Sequence, residues 1–148
     1  MKANYNFLFI FLIIVILTTG CSILKNNNDY AKINGIKINL EITQSQNDKI
    51  RGLSNRKDLS QDSGMLFQYS DYQIRGFWMK DMLFPIDIIW IKNDVIVGIE
   101  KEIPPATDDN LKTYYPPLPI NTVLEVNAGF SDKNNIKIGD SININIKK

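Results

Sequence analysis

The stretch Ile86–Lys101, IDIIWIKNDVIVGIEK, decides the fold. From Ile86 to Ile91 both faces of the expected strand are apolar, with Asp87 the one interruption. A strand apolar on both sides belongs inside a sheet, with neighbours on either hand, rather than at its edge. Asn93-Asp94 then supplies a two-residue turn, and Val95 to Lys101 returns as the partner strand.

Working outward, Ala31 to Thr43 (AKINGIKINLEIT) repeats the device around Asn34-Gly35, the strongest two-residue hairpin signal. Ile36, Ile38, Leu40 and Ile42 alternate with polar residues, which predicts a half-buried strand with one wet face. Ser63 to Tyr69 and Ile74 to Met82 read as strands, and Pro85 interrupts the ladder before Ile86. Thr122 to Asn127 and Ser141 to Ile146 complete the set. The one convincing helix lies near 45–54, where Ser45 and Asp48 are spaced as a capping box and Gly52 weakens the end. Ile103 to Pro119 holds five of the six prolines, and a loop of that length in a small domain is functional or mobile. Many short strands with little helix predict a mainly β fold, a compact sandwich or partly open barrel of mostly antiparallel strands.

Composition excludes much chemistry. The 148-residue chain has a formal charge of +1, which gives no argument for nucleic acid as a partner. It has no histidine and one cysteine, Cys21, so no imidazole relay, no Cys/His zinc site and no internal disulfide is expected. No Gly-rich phosphate loop is present, and no cofactor is implied. Asp132, Asn134 and Asn135 lack the glycine and closing glutamate of a calcium loop, so no metal is assigned.

The amino terminus carries an address. One charge, Lys2, precedes an apolar run from Phe7 to Leu17. As a helix that run spans about 16 Å, short of the roughly 30 Å hydrocarbon layer, so a cleaved signal is expected over 1–20. Leu17-Thr18-Thr19-Gly20-Cys21 resembles the lipobox of bacterial lipoproteins, with Thr18 where a leucine is usual. That resemblance implies acylation of Cys21 and a place on the outer side of a bacterial membrane, the alternative being an ordinary cleaved signal with an incidental cysteine. The polar, Asn-rich composition reads as a flexible tether over 21–30, before a single domain over 31–148.

Several residues are candidates for a site. On a strand, Trp78 and Lys80 share one face while Asp81 takes the other. Trp78 with Lys80 reads either as the floor and handle of a pocket, or as core covered by a snorkelling lysine. Asp87 needs a partner if buried, and Lys80, Arg51, Arg56 and Arg75 are the available cations. A structural ion pair at Asp87 is the plainer expectation. The sharper one is a carboxylate pair of Asp87 with Asp81 or Glu125, working as acid and base or holding Ca²⁺ or Mg²⁺. Alternation puts Glu125 opposite Leu124 and Val126, on an outward face with no further role. Tyr114 and Tyr115, beside Pro116-Pro117, either stack on a ligand or pin the loop to its own domain.

Taken together, several segments resemble a known family. Gly52-Leu53 with Arg56 and Leu59, Gly64-Met65-Leu66-Phe67, Phe77-Trp78-Met79-Lys80, Pro85-Ile86-Asp87, Val123 to Gly129 (VLEVNAG) and Ile136 to Asp140 (IKIGD) recur in this order. They resemble domain-of-unknown-function family 192, from about Leu40 to Ile146. Ser54 stands where that family usually has methionine, and Asp81-Met82 where it has Asn-Thr. The resemblance implies a compact, mainly β fold and brings no activity. The expected function is a lipid-anchored binding or accessory module of the cell envelope. The alternatives are a carboxylate enzyme acting on envelope polysaccharide or peptidoglycan, and a purely structural protein.

Overall fold

The computed structural model describes residues 29–107 and 111–147. The expected signal over 1–20, Cys21 and the tether as far as Asn28 lie outside the described residues. Strands β1 (Tyr30–Ile33) and β2 (Ile36–Ile42) form the first hairpin, with Asn34 and Gly35 at φ 51° and 82°. Both values are left-handed, as the twist-matched two-residue turn requires. Helix α1 (Gln46–Arg51) follows, closed by the expected capping box: Ser45 Oγ accepts from the Asp48 amide and the Asp48 carboxylate accepts from the Ser45 amide. It stops earlier than residue 54 because Gly52 turns away at φ 50°.

Strand β3 (Ser63–Gln73) runs parallel to β2, the one parallel pairing within the main sheet, with α1 in the connection. Short β4 (Phe77–Trp78) is followed by β5 (Ile86–Lys92) and β6 (Val95–Ile103), hairpin partners through Asn93-Asp94. Then come β7 (Thr113–Tyr114), β8 (Ile120–Asn127), helix α2 (Phe130–Lys133) and β9 (Ile142–Asn145). The main sheet has the order β6-β5-β8-β3-β2-β1-β9, and β4 pairs with β7 in a small second sheet.

The main sheet curls into a half-barrel. Backbone bonds from Ile96 to Asp140 (2.9 Å), Gly139 to Ile96 (2.9 Å) and Ile142 to Asp94 (2.9 Å) join the two outer strands at one end. The concave face collects apolar side chains from every strand of this sheet, among them Ile33, Leu40, Leu66, Ile89, Ile96, Leu124 and Ile142, with Phe130 of α2 packed among them. The opposite face of β3, β5 and β8 is also buried, under Leu53, Leu59, Met79 and Met82 from the connecting segments. β5 therefore has a strand on each side and apolar cover on each face, as its sequence predicts.

The structure departs from expectation at three places. Ile74 to Met82 is a strand only at Phe77–Trp78, because Asp81 is left-handed at φ 58° and the Met82 amide closes a turn on Met79. Helix α2 is unanticipated: FSDK has no amphipathic period, and it is held from outside by Asp87.

Asp87 is fully buried, and among the described residues it forms no ion pair, which corrects the expected one. Its Oδ1 accepts from the amides of Glu102 (2.8 Å) and Gly129 (3.1 Å), and its Oδ2 from Ser131 (2.9 Å). One carboxylate thus ties β5 to the end of β6 and to the turn that starts α2. Asp87→Ala leaves these amides without an acceptor and is expected to lower stability by about 3–5 kcal/mol. Asp87→Asn retains part of the set and is expected to cost about 1–3 kcal/mol. Urea unfolding of both variants checks the order.

Candidate functional site

A cleft of about 400 Å³ opens on the second face of the sheet, between α1, the outer end of β3 and β4. Its rim is apolar where solvent would favour polar groups. Ile50, Ile74 and Trp78 are exposed by 55%, 57% and 44%, and all three line it. Trp78 is thus neither core nor a strand partner of Lys80. Behind it, Phe77 is held edge-on between Phe67 (5.1 Å between centroids) and Trp90 (5.4 Å), so the inner aromatic wall is fixed by the core.

The side wall is cationic. Tyr69 lies between Lys49, whose Nζ is 4.3 Å from the ring centroid, and Arg75, whose Cζ is 3.9 Å from it. Burial raises the Tyr69 hydroxyl above its usual range; Arg75 opposes the shift and Glu125 adds to it. Arg75 also bonds the Asp71 carboxylate at 2.5 Å and the Ile120 carbonyl at 3.3 Å.

Glu125 lies on the floor. It is 5% exposed, it lines the cleft, and its Oε2 has no hydrogen-bond partner among the described residues. Burial pushes its carboxyl up to about 8, with the Arg56 charge pulling the other way. Arg56 itself is committed to Glu41 at 2.5 Å. Near neutral pH Glu125 is therefore an uncharged acid that carries a proton. Gly52 lies above it, where an added Cβ would stand 3.8 Å from Oε2.

The remaining candidates do not gather here. Asp87 pairs in register with Val126, and Glu125 with Ile88, so the two carboxyls point to opposite faces of the sheet. Asp81 is exposed on a turn whose carbonyl accepts from the Asn55 amide (2.7 Å). Lys80 is exposed beside it, its carbonyl held by Ser54 Oγ (2.8 Å). The carboxylate pair thus has no geometry. Arg51 pairs with Asp48 (2.9 Å) and Arg56 with Glu41, so neither reaches Asp87. Tyr114 sits in β7 opposite Phe77, with Lys112 Nζ 4.5 Å from its ring centroid. Tyr115 covers Gly76, where a Cβ would come within 2.9 Å of its ring. These tyrosines brace β4 from outside the cleft. Among the described residues, no three acidic or cysteine side chains gather where they would hold a metal ion.

Sequence reasoning missed Tyr69 and Lys49 as site residues, named Arg75 only as a possible partner of Asp87, and weighed Glu125 as half of a carboxylate pair or as an outward side chain, not as the floor of a cleft. Glu125 was within reach. Val123-Leu124-Glu125-Val126 is apolar on both faces, the same signal that placed Asp87 inside the sheet.

The profile of a family described as an uncharacterized ACR, DUF192 (COG1430), matches residues 30–144. The chain belongs to the DUF192 family. No curated protein matches the sequence. Two solved structures are similar. One, a protein of unknown function from Novosphingobium aromaticivorans, is 24% identical, with a TM-score of 0.71 over 77% of this chain and 83% of that one. The other, from Sinorhizobium meliloti, is 23% identical, with a TM-score of 0.71 over 78% of this chain and 92% of that one. Its description proposes a transcription regulator. At this identity the likeness establishes the DUF192 fold alone.

Glu125 makes a pH prediction. The folded chain holds this proton to about pH 8, while the unfolded carboxyl releases it near 4.5. Between those values the native state binds more protons, so stability falls as pH rises, by up to about 1.4 kcal/mol per unit. Glu125→Gln is expected to remove that slope. Urea unfolding of both proteins from pH 5 to 9 measures the difference.

Proposed function

We propose that the chain is a lipid-anchored binding module of the cell envelope, held through Cys21, and that it takes a small ligand in the cleft beside Trp78. The observation that carries the reading is the floor of that cleft. A buried carboxyl with an unpartnered oxygen is costly to maintain, and here it lies under an open aromatic rim. Ligand sites combine mostly apolar walls with a few convergent polar groups, and a cleft of about 400 Å³ is within their usual size. The lipobox-like LTTGC and the Asn-rich segment after it support a tethered domain outside the cytoplasm. Separation of Asp87 from Glu125 removes the motive for a carboxylate enzyme.

Two measurements test the reading. Mass spectrometry of the native protein is expected to find an acylated Cys21 as the first residue, and Cys21→Ser to release the chain from the membrane fraction. An unacylated chain beginning at Met1 would overturn the anchor. A fragment library followed by amide NMR is expected to shift residues 49–53, 69–78 and 125. Trp78→Ala is expected to abolish those shifts at a stability cost below about 1 kcal/mol. Shifts spread elsewhere, or unaffected by the substitution, would overturn the cleft.

A further inference from the structure

We propose that the cleft takes a small organic anion by its carboxylate, with the Glu125 carboxyl donating a hydrogen bond to it and Lys49, Arg51 and Arg75 supplying the positive field. The proposal rests on the cleft being a binding site and names the class of ligand.

The first argument is the orphan on the floor. Among the described residues, Glu125 Oε2 has neither donor nor acceptor. An uncharged acid has a proton to give, and the strongest acceptor for it is another carboxylate, through a short charge-assisted bond. A ligand ammonium would need Glu125 ionised inside a cationic wall.

The second argument is the charge of the lining. Lys49, Arg51 and Arg75 line the cleft, whereas Asp48 and Asp71, which pair with the two arginines, do not. Near neutral pH no ionised carboxylate faces the space. Lys49 gives one bond to the Gln68 carbonyl (2.5 Å), and an ammonium has three donors. The third argument is the body of the ligand. Trp78, Ile50 and Ile74 present apolar surface at the mouth, which suits a ring or short hydrocarbon behind the carboxylate. A neutral alcohol or amide satisfies Glu125 but makes no use of the cations.

The charged and titratable groups around Glu125 are Arg56 from the loop after α1 with its partner Glu41 of β2, Lys49 and Arg51 from α1, Tyr69 of β3, and Arg75 beyond Tyr69. The register partners of Glu125, Met65 on β3 and Ile88 on β5, are apolar. Glu125 is the group whose raised carboxyl changes charge near pH 8, and burial moves the Tyr69 hydroxyl upward, away from that range.

The test uses the full chain in detergent micelles, titrated with benzoate and galacturonate and with their neutral partners benzamide and galactose, by calorimetry and amide NMR. At pH 6.5 at least one carboxylate is expected to bind roughly tenfold more tightly than its neutral partner. Its affinity is expected to fall about tenfold per pH unit above pH 8, as the donor proton is lost. Lys49→Gln is expected to weaken the carboxylate severalfold and leave the neutral partner unchanged, and Glu125→Gln to flatten the pH profile. Equal binding of acid and neutral partner at the cleft overturns the anion class while leaving a binding cleft. A carboxylate that perturbs no cleft residue also overturns the proposal, and the fragment screen then judges the cleft by itself. Unchanged carboxylate affinity from pH 6.5 to 9.5 removes Glu125 as the donor.

Discussion

Strands β5 and β8 lie side by side inside the sheet, and nearly every residue of the pair is buried. Every polar group on that pair must find a partner in protein or go without. Asp87 and Glu125 occupy neighbouring registers and represent the two outcomes. On the concave face Asp87 meets three backbone amides, and the turn that makes α2 is organised around it. On the other face Glu125 meets a gap, and it keeps its proton instead. One face is closed by its carboxylate, while the other is left open around its own.

Much of the architecture was legible because it depends on local signals. Asn34-Gly35 and Asn93-Asp94 have the left-handed backbone their residue types suggest, and the Ser45–Asp48 cap starts α1 where its spacing says. The apolar run from Ile86 to Ile91 gave β5 two neighbours correctly. The choice between sandwich and barrel was not local, since it rests on pairing between residues near 95 and 141. Ile74 to Met82 misled because an exposed apolar rim and a strand have the same composition. Only the bend at Asp81 and the approach of Tyr115 to Gly76 separate them.

The site was harder to read, for a reason of chemistry. A buried carboxylate was expected to need a cationic or donor partner, and Lys80 and three arginines were the cations at hand. Arg51 and Arg75 went to acids three and four positions away along the chain, and Arg56 to Glu41. Such exposed pairs contribute little. The groups that hold Asp87 are main-chain amides, which every residue carries and no sequence pattern marks. Glu125 was misplaced for the complementary reason: alternation gave its side of the strand correctly, but a second layer covers that side.

The bonds joining Asp94 and Ile96 to the 139–142 segment have a consequence beyond shape. An uncurled seven-stranded sheet would offer a free border on each flank, ready to recruit a strand from another molecule. Here the two borders meet at one end, where residues 94–96 and 139–142 occupy each other's donors and acceptors. Copies crowded together in a confined layer thus find little template there for fibrous self-association.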